Sequence, residues 1–157
     1  MTILTNVPAG TIKVGDRTSY TKTCTFGDIQ LFAKVSGDVN PVHLDEEFAS
    51  ETQFGQRIAH GMYTAGLVSA AVGLQLPGPG TIYLSQDIKF SAPVFVDDTI
   101  TVELEVVSVR EDKPIVGLEF VCKNQKDKVV ASGKAVVLAP SEALSLEAPE
   151  LPDINIG

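Results

Sequence analysis

The chain has 157 residues, of which 44% are hydrophobic and 20% charged, enough for one domain with its own core and too apolar for a disordered chain. Its formal net charge of −8 speaks against a nucleic-acid partner, because such binders present a basic face. No apolar run approaches a membrane span, no basic and apolar start marks a secretion signal, and Cys24 and Cys122 have no second ligand at a zinc spacing; the expectation is a cytoplasmic protein with two reduced thiols and no metal.

Residues 1–24 read as loop and short strand, with a turn at VGD (14–16) and an extended Thr- and Tyr-rich segment at 17–23. Thr25 with Asp28 forms a capping-box pattern, Phe26, Ile29, Phe32 and Ala33 keep helical spacing, and Gly37 suits a helix C-terminus, so a helix is expected over 26–36. GDVNPVHLD (37–45) follows. Pro41 biases Asn40 away from the α region, so 38–43 is not one continuous helix. Asp45 suits the N-cap of a short helix through EEFASET.

Residues 60–76 form the longest helical candidate. Met62, Ala65, Leu67, Val68, Val72 and Leu76 are apolar, while Gly61, Gly66, Ala70, Ala71 and Gly73 are small, which predicts a helix buried nearly all round. PGPG at 77–80 stops it. The period then changes to two. Strands are expected at 81–90 (Ile82, Leu84, Ile88 and Phe90 on one face), 99–109, 115–123 and 129–139, joined by short turns into antiparallel hairpins with one buried face. One long helix followed by such a sheet is α+β, with the curved sheet wrapped around the helix. From 140 the chain is Pro-rich, acidic and aperiodic, a tail that is flexible or lies on a neighbouring surface.

Asp38 and His43 are five residues apart across a proline-containing turn. The turn lets a carboxylate and an imidazole converge, as neither a helix nor a strand would. Together they can activate a water and deliver a proton. Spacing alone favours the plainer reading of a capped turn and a histidine bonded to a carbonyl, because Asp and Asn are favoured at turns anyway. His60 can be a second catalytic histidine or a structural residue at a helix start. Gly61 beside it lets a ligand approach the first N–H groups of the helix, which lack internal partners and suit a negative oxygen. Ser69, two turns on, lies on nearly the same face as Gly61 and can bond a polar group or its own helix carbonyl.

GDVNPVHLDEEFA, IAHGM and LPGPGTIYLSQDIKFSAPVFVDDTI together resemble the MaoC-like hot-dog proteins, most closely the (R)-specific enoyl-CoA hydratases, over roughly residues 10–139. The resemblance implies a single hot-dog domain at 1–139, an overhang at 38–58, a 140–157 tail, a homodimer and no cofactor. It implies Asp38 and His43 as the catalytic pair, Gly61 as the donor to the thioester oxygen, and Ser69, Asn40, Met62 and Leu84 as substrate contacts. Asp38 is read as base toward water and His43 as proton donor to C2, sharing the work; no metal or membrane takes part. The substrate implied is an acyl-CoA thioester, with Arg57, Lys89, Arg110 and Lys113 as candidate phosphate cations. The competing readings are a 3-hydroxyacyl-carrier-protein dehydratase and a non-catalytic acyl-thioester-binding module.

Overall fold

The computed structural model describes residues 1–156; position 157, the last of the expected tail, lies outside the described residues. A short strand β1 (Ile3–Thr5) leads to β2 (Arg17–Thr23). Helix α1 (Phe26–Ser36) has its capping box closed, since Thr25 Oγ1 accepts the Asp28 N–H at 3.1 Å and the Asp28 carboxylate accepts the Thr25 N–H at 3.1 Å. Gly37 ends it in the left-handed conformation, φ 79°.

GDVNPVHLD is more regular than a turn. Asn40 caps a single helical turn, α2 (Pro41–Leu44), with Pro41 in the first turn, where its missing N–H costs nothing. The residues before Pro41 stay non-helical, as proline requires. Asp45 then caps α3 (Glu46–Ser50) by accepting the Phe48 N–H.

Helix α4 (Gly61–Leu74) packs across one face of a five-stranded antiparallel sheet. The sheet runs β2–β4–β5–β6–β3, with β3 (Ile82–Phe90), β4 (Thr99–Val109), β5 (Ile115–Lys123) and β6 (Val129–Leu138). Strict alternation on β4 and β5 buries Ile100, Val102, Leu104 and Val106, and Val116, Leu118, Phe120 and Cys122. These meet Leu67, Val68, Ala71 and Val72 of α4 and Ile29 of α1 in one core. This is the expected α+β hot-dog arrangement of a central helix and a wrapping sheet.

Two expectations fail at one border. Helix α4 is not buried all round: Met62, Gly66 and Ser69 form an exposed stripe at the spacing of one helix face, and Leu74 is exposed at the helix end. On β3, Ile82, Leu84 and Phe90 are also exposed. β3 is an edge strand, and a bulge between Tyr83 and Ser85 shifts its alternation, so Tyr83 and Ile88 are the residues that pack against the core. Periodicity finds an apolar face but not what covers it.

The tail is partly structured. β7 (Ser145–Glu147) pairs antiparallel with β1, so part of it lies on a neighbouring segment. Buried Asn6 fastens the ribbon: its amide donates to Pro79 O and Glu142 O and accepts the Leu144 N–H.

Gly133 on β6 shows how closely the sheet is packed. A methyl there would overlap the Asp87 carbonyl oxygen and reach the Phe120 ring at 2.8 Å. Gly133→Ala is expected to lower stability by about 3 kcal/mol, read as a reduced urea midpoint at unchanged slope.

Candidate active site

Three separate stretches of chain meet where α4 begins. The loop after α1 brings Asp38, α2 brings His43, and the residue before α4 brings His60. A carboxylate oxygen of Asp38 and one ring nitrogen from each histidine lie within 4.8 Å of one another. Asp38 is exposed, while His43 and His60 are buried.

Asp38 Oδ1 accepts the Asn40 N–H at 3.1 Å, and Oδ2 lies 4.0 Å from His60 Nε2. Asn40 spends its side chain on the Val42 N–H at 3.2 Å. It is therefore an exposed cap that shapes the turn, and like Asp38 and His43 it is not among the residues that line the cleft described below.

His43 Nδ1 is 2.7 Å from the Ile58 carbonyl oxygen. A carbonyl can only accept, so Nδ1 carries the proton and Nε2 of the neutral ring keeps a lone pair. Burial lowers the His43 pKa below its ordinary 6.5, more than the Ile58 bond and Asp38 raise it.

His60 holds the helix N-cap position without capping the helix. Its Nε2–H donates instead to the Asp38 backbone carbonyl at 3.0 Å. The ring stacks on His43 at 3.8 Å between centroids and meets Phe32 at 4.7 Å. Its Nδ1 is buried with no partner among the described residues. Tyr63 N–H returns to His60 O, and the Gly61 N–H finds no acceptor among the described residues. The first donor of α4 stays open. One nitrogen of each stacked ring is bonded to a carbonyl, and the other keeps its lone pair.

Beside the helix start opens a cleft of about 420 Å³, lined by His60, Gly61 and Thr64 with Phe54, Ile58, Phe90, Pro93 and Val94. It is mostly apolar with few polar groups, the usual make-up of a small-molecule site. Gly61 has a steric reason to be glycine: a Cβ there would sit 3.0 Å from the Phe90 ring.

The remaining expected residues scatter. Ser69 is exposed, and its hydroxyl makes no bond to the helix backbone. Met62 and Leu84 are exposed too, outside the cleft of one chain. Among the candidate cations, Arg57 is committed: it pairs with Glu46 at 2.7 Å and lies 3.8 Å over the Phe26 ring. Arg110 is held by Asp112 at 2.6 Å. Lys89 and Lys113 are exposed and make no ion pair among the described residues. Both cysteines are buried and free, and burial pushes their thiols up to about 11 (Cys24) and about 12 (Cys122). The Ile58 carbonyl is a partner that sequence reasoning misses, because backbone atoms carry no side-chain signature. Phe32 and Phe90 read only as core and strand residues.

Residues 9–123 match the family described as MaoC like domain. The chain is similar to an (R)-specific enoyl-CoA hydratase of Rhodospirillum rubrum, 45% identical over 130 residues that cover 83% of this chain and 90% of that protein. Among solved structures it resembles R-hydratase PhaJ1 from Pseudomonas aeruginosa in the unliganded form, with TM-score 0.94, 47% identity, and coverage of 99% of this chain and 100% of that one. It also resembles the (R)-hydratase from A. caviae involved in PHA biosynthesis, with TM-score 0.80, 43% identity, and coverage of 82% and 98%.

The lowered His43 pKa has a consequence for stability. The unfolded chain takes up this proton near the ordinary 6.5, while the folded chain resists it to a lower pH. His43 should therefore make stability fall as pH drops below about 6.5, levelling once the folded ring also titrates. Chemical denaturation of the protein and of His43→Asn across pH 5–8 should show that slope in the first and a weaker one in the second.

Proposed function

The chain belongs to the MaoC-like family, and from that footing we propose that it is an (R)-specific enoyl-CoA hydratase, a hydro-lyase adding water to trans-2-enoyl-CoA reversibly. One observation carries the reading: Asp38 and His43 converge within 4.8 Å beside a helix start whose first N–H is open. Hydrogen bonds of about 2.8 Å to each group let one water bridge that span.

The chemistry balances on that water. Its oxygen bonds to C3, one of its O–H bonds breaks, and one proton reaches C2 on the same face of the alkene. Because His43 rests neutral with Nε2 open, it donates to C2 only after a proton from water has reached it. Asp38 shares the water and favours the charged ring that forms transiently. Electron density moves onto the thioester oxygen as C3 is attacked, and the Gly61 N–H is placed to hold it. One such donor typically contributes roughly 3 kcal/mol to the barrier.

The apolar cleft under Phe90 would take the thioester and its pantetheine arm. The acidic overhang, with Asp45, Glu47 and Glu51 exposed, favours a soluble CoA thioester over a docked acidic carrier protein. The exposed α4 stripe and the unpaired β3 edge support a homodimer joined along them, an arrangement that would bring Ser69, Met62 and Leu84 under a partner's cover. No helix among the described residues is long and apolar enough to cross a membrane, and a cytoplasmic setting agrees with the free thiols.

Loss of conjugated thioester absorbance with crotonyl-CoA, followed by product chirality, tests the reading. The wild-type protein should form the (R)-3-hydroxy product. Asp38→Asn keeps an oxygen for the Asn40 N–H, and His43→Asn keeps a donor for Ile58 O, so both should fold and lose at least 100-fold in kcat. A wild type that does not hydrate crotonyl-CoA, or variants within threefold of it, would refute the assignment.

A further inference from the structure

We propose that His60 is a positioning residue that sets Asp38, His43 and the open helix start relative to one another. The inference rests on the hydratase reading for its rate measurements and stands apart from it for its spectroscopic one.

His60 belongs both to the Asp38–His43 cluster and to the lining of the cleft. Its ring makes three commitments. Nε2–H holds the Asp38 carbonyl at 3.0 Å, one face covers His43 at 3.8 Å, and Phe32 packs against the ring at 4.7 Å. The choice of acceptor matters. By bonding the main chain of Asp38, His60 fixes the turn while its Nε2 remains 4.0 Å from Oδ2, so the carboxylate is left for water.

The covering ring helps bury His43 and limits its rotation, keeping Nδ1 on Ile58 O and Nε2 free. The titratable groups facing His43 are Asp38 and His60 themselves. The third effect is an omission. N-cap positions usually carry Ser, Thr, Asp or Asn, whose side chain takes a helix N–H. A cap of that kind at position 60 would engage the first turn of α4. Histidine turns its side chain away and gives it to the Asp38 carbonyl instead, while Gly61 N–H, at the first helical position, is open whatever residue caps the helix.

The roles separate by substitution. His60→Phe keeps the stacked ring and loses the donor to Asp38 O. His60→Gln keeps an N–H at the Nε2 position and loses the ring. With crotonyl-CoA, His60→Phe should lose at least tenfold in kcat with KM within twofold, since a ring still lines the cleft at position 60. His60→Gln should recover at least threefold of that loss. Histidine-selective NMR on the same proteins reads His43 directly. Its midpoint should lie below 6.5 in the wild type and in His60→Phe, and rise in His60→Gln as the cover is lost. A folded His60→Phe within threefold of wild-type kcat, or a loss confined to KM, overturns the proposal. If His60→Phe does not fold, His60→Gln decides alone, and an unmoved His43 midpoint overturns it. A wild type without hydratase activity counts against the enzyme reading only, because the His43 titration still judges His60.

Discussion

The candidate site is organised by one buried contact, the stack of His60 on His43. Neither ring has a carboxylate for its fixed partner. Each gives one N–H to a backbone carbonyl, of Ile58 or of Asp38. Carbonyls fix tautomer and orientation without adding a second negative charge. The carboxylate of Asp38 therefore stays at the mouth of the site, where a water can reach it. The arrangement has a cost: the helix start goes uncapped, worth about 1 kcal/mol, and His60 Nδ1 stays unpartnered. Both defects lie in the site, where such departures from local stability concentrate.

Around this contact the overhang acts as a brace. Arg57 ties the loop before Ile58 to Glu46 of α3 and to Phe26 of α1. Ile58 N–H bonds Val42 O, and Ala59 N–H bonds Val94 O, so the strand-like entry to α4 is stitched on both sides. A guanidinium that looks like a ligand for phosphate in the sequence is thus used to hold the carbonyl that holds His43. Glu46 and Phe26 explain why: a part-buried Arg needs an acid and tolerates an aromatic face.

The fold was legible because its signals are local. Thr25 and Asp28, Gly37, Asp45 and PGPG mark helix ends through chemistry within four residues, and the alternation of β4 and β5 names the buried face directly. The site was legible in part. Asp38, His43 and Gly61 stood out, and the structure brings them together. What sequence did not give were relations across the chain. Asn40 caps instead of lining, Pro41 starts a helical turn, and His60 declines to cap. The apolar faces of α4 and β3 were read as core because periodicity counts apolar residues and cannot tell one chain's interior from a surface left open.

The ribbon of β1 and β7 carries a consequence for the order of folding. It pairs residues 140 positions apart, as Thr5 and Ser145 show, with only three residues on each side. Closing so long a loop from an open chain costs about 4 kcal/mol of entropy, more than so small a ribbon returns. The ribbon becomes favourable only when the sheet has already carried the two ends close together. It is then the last stretch to be fastened and the first to come loose, and none of its residues lines the cleft.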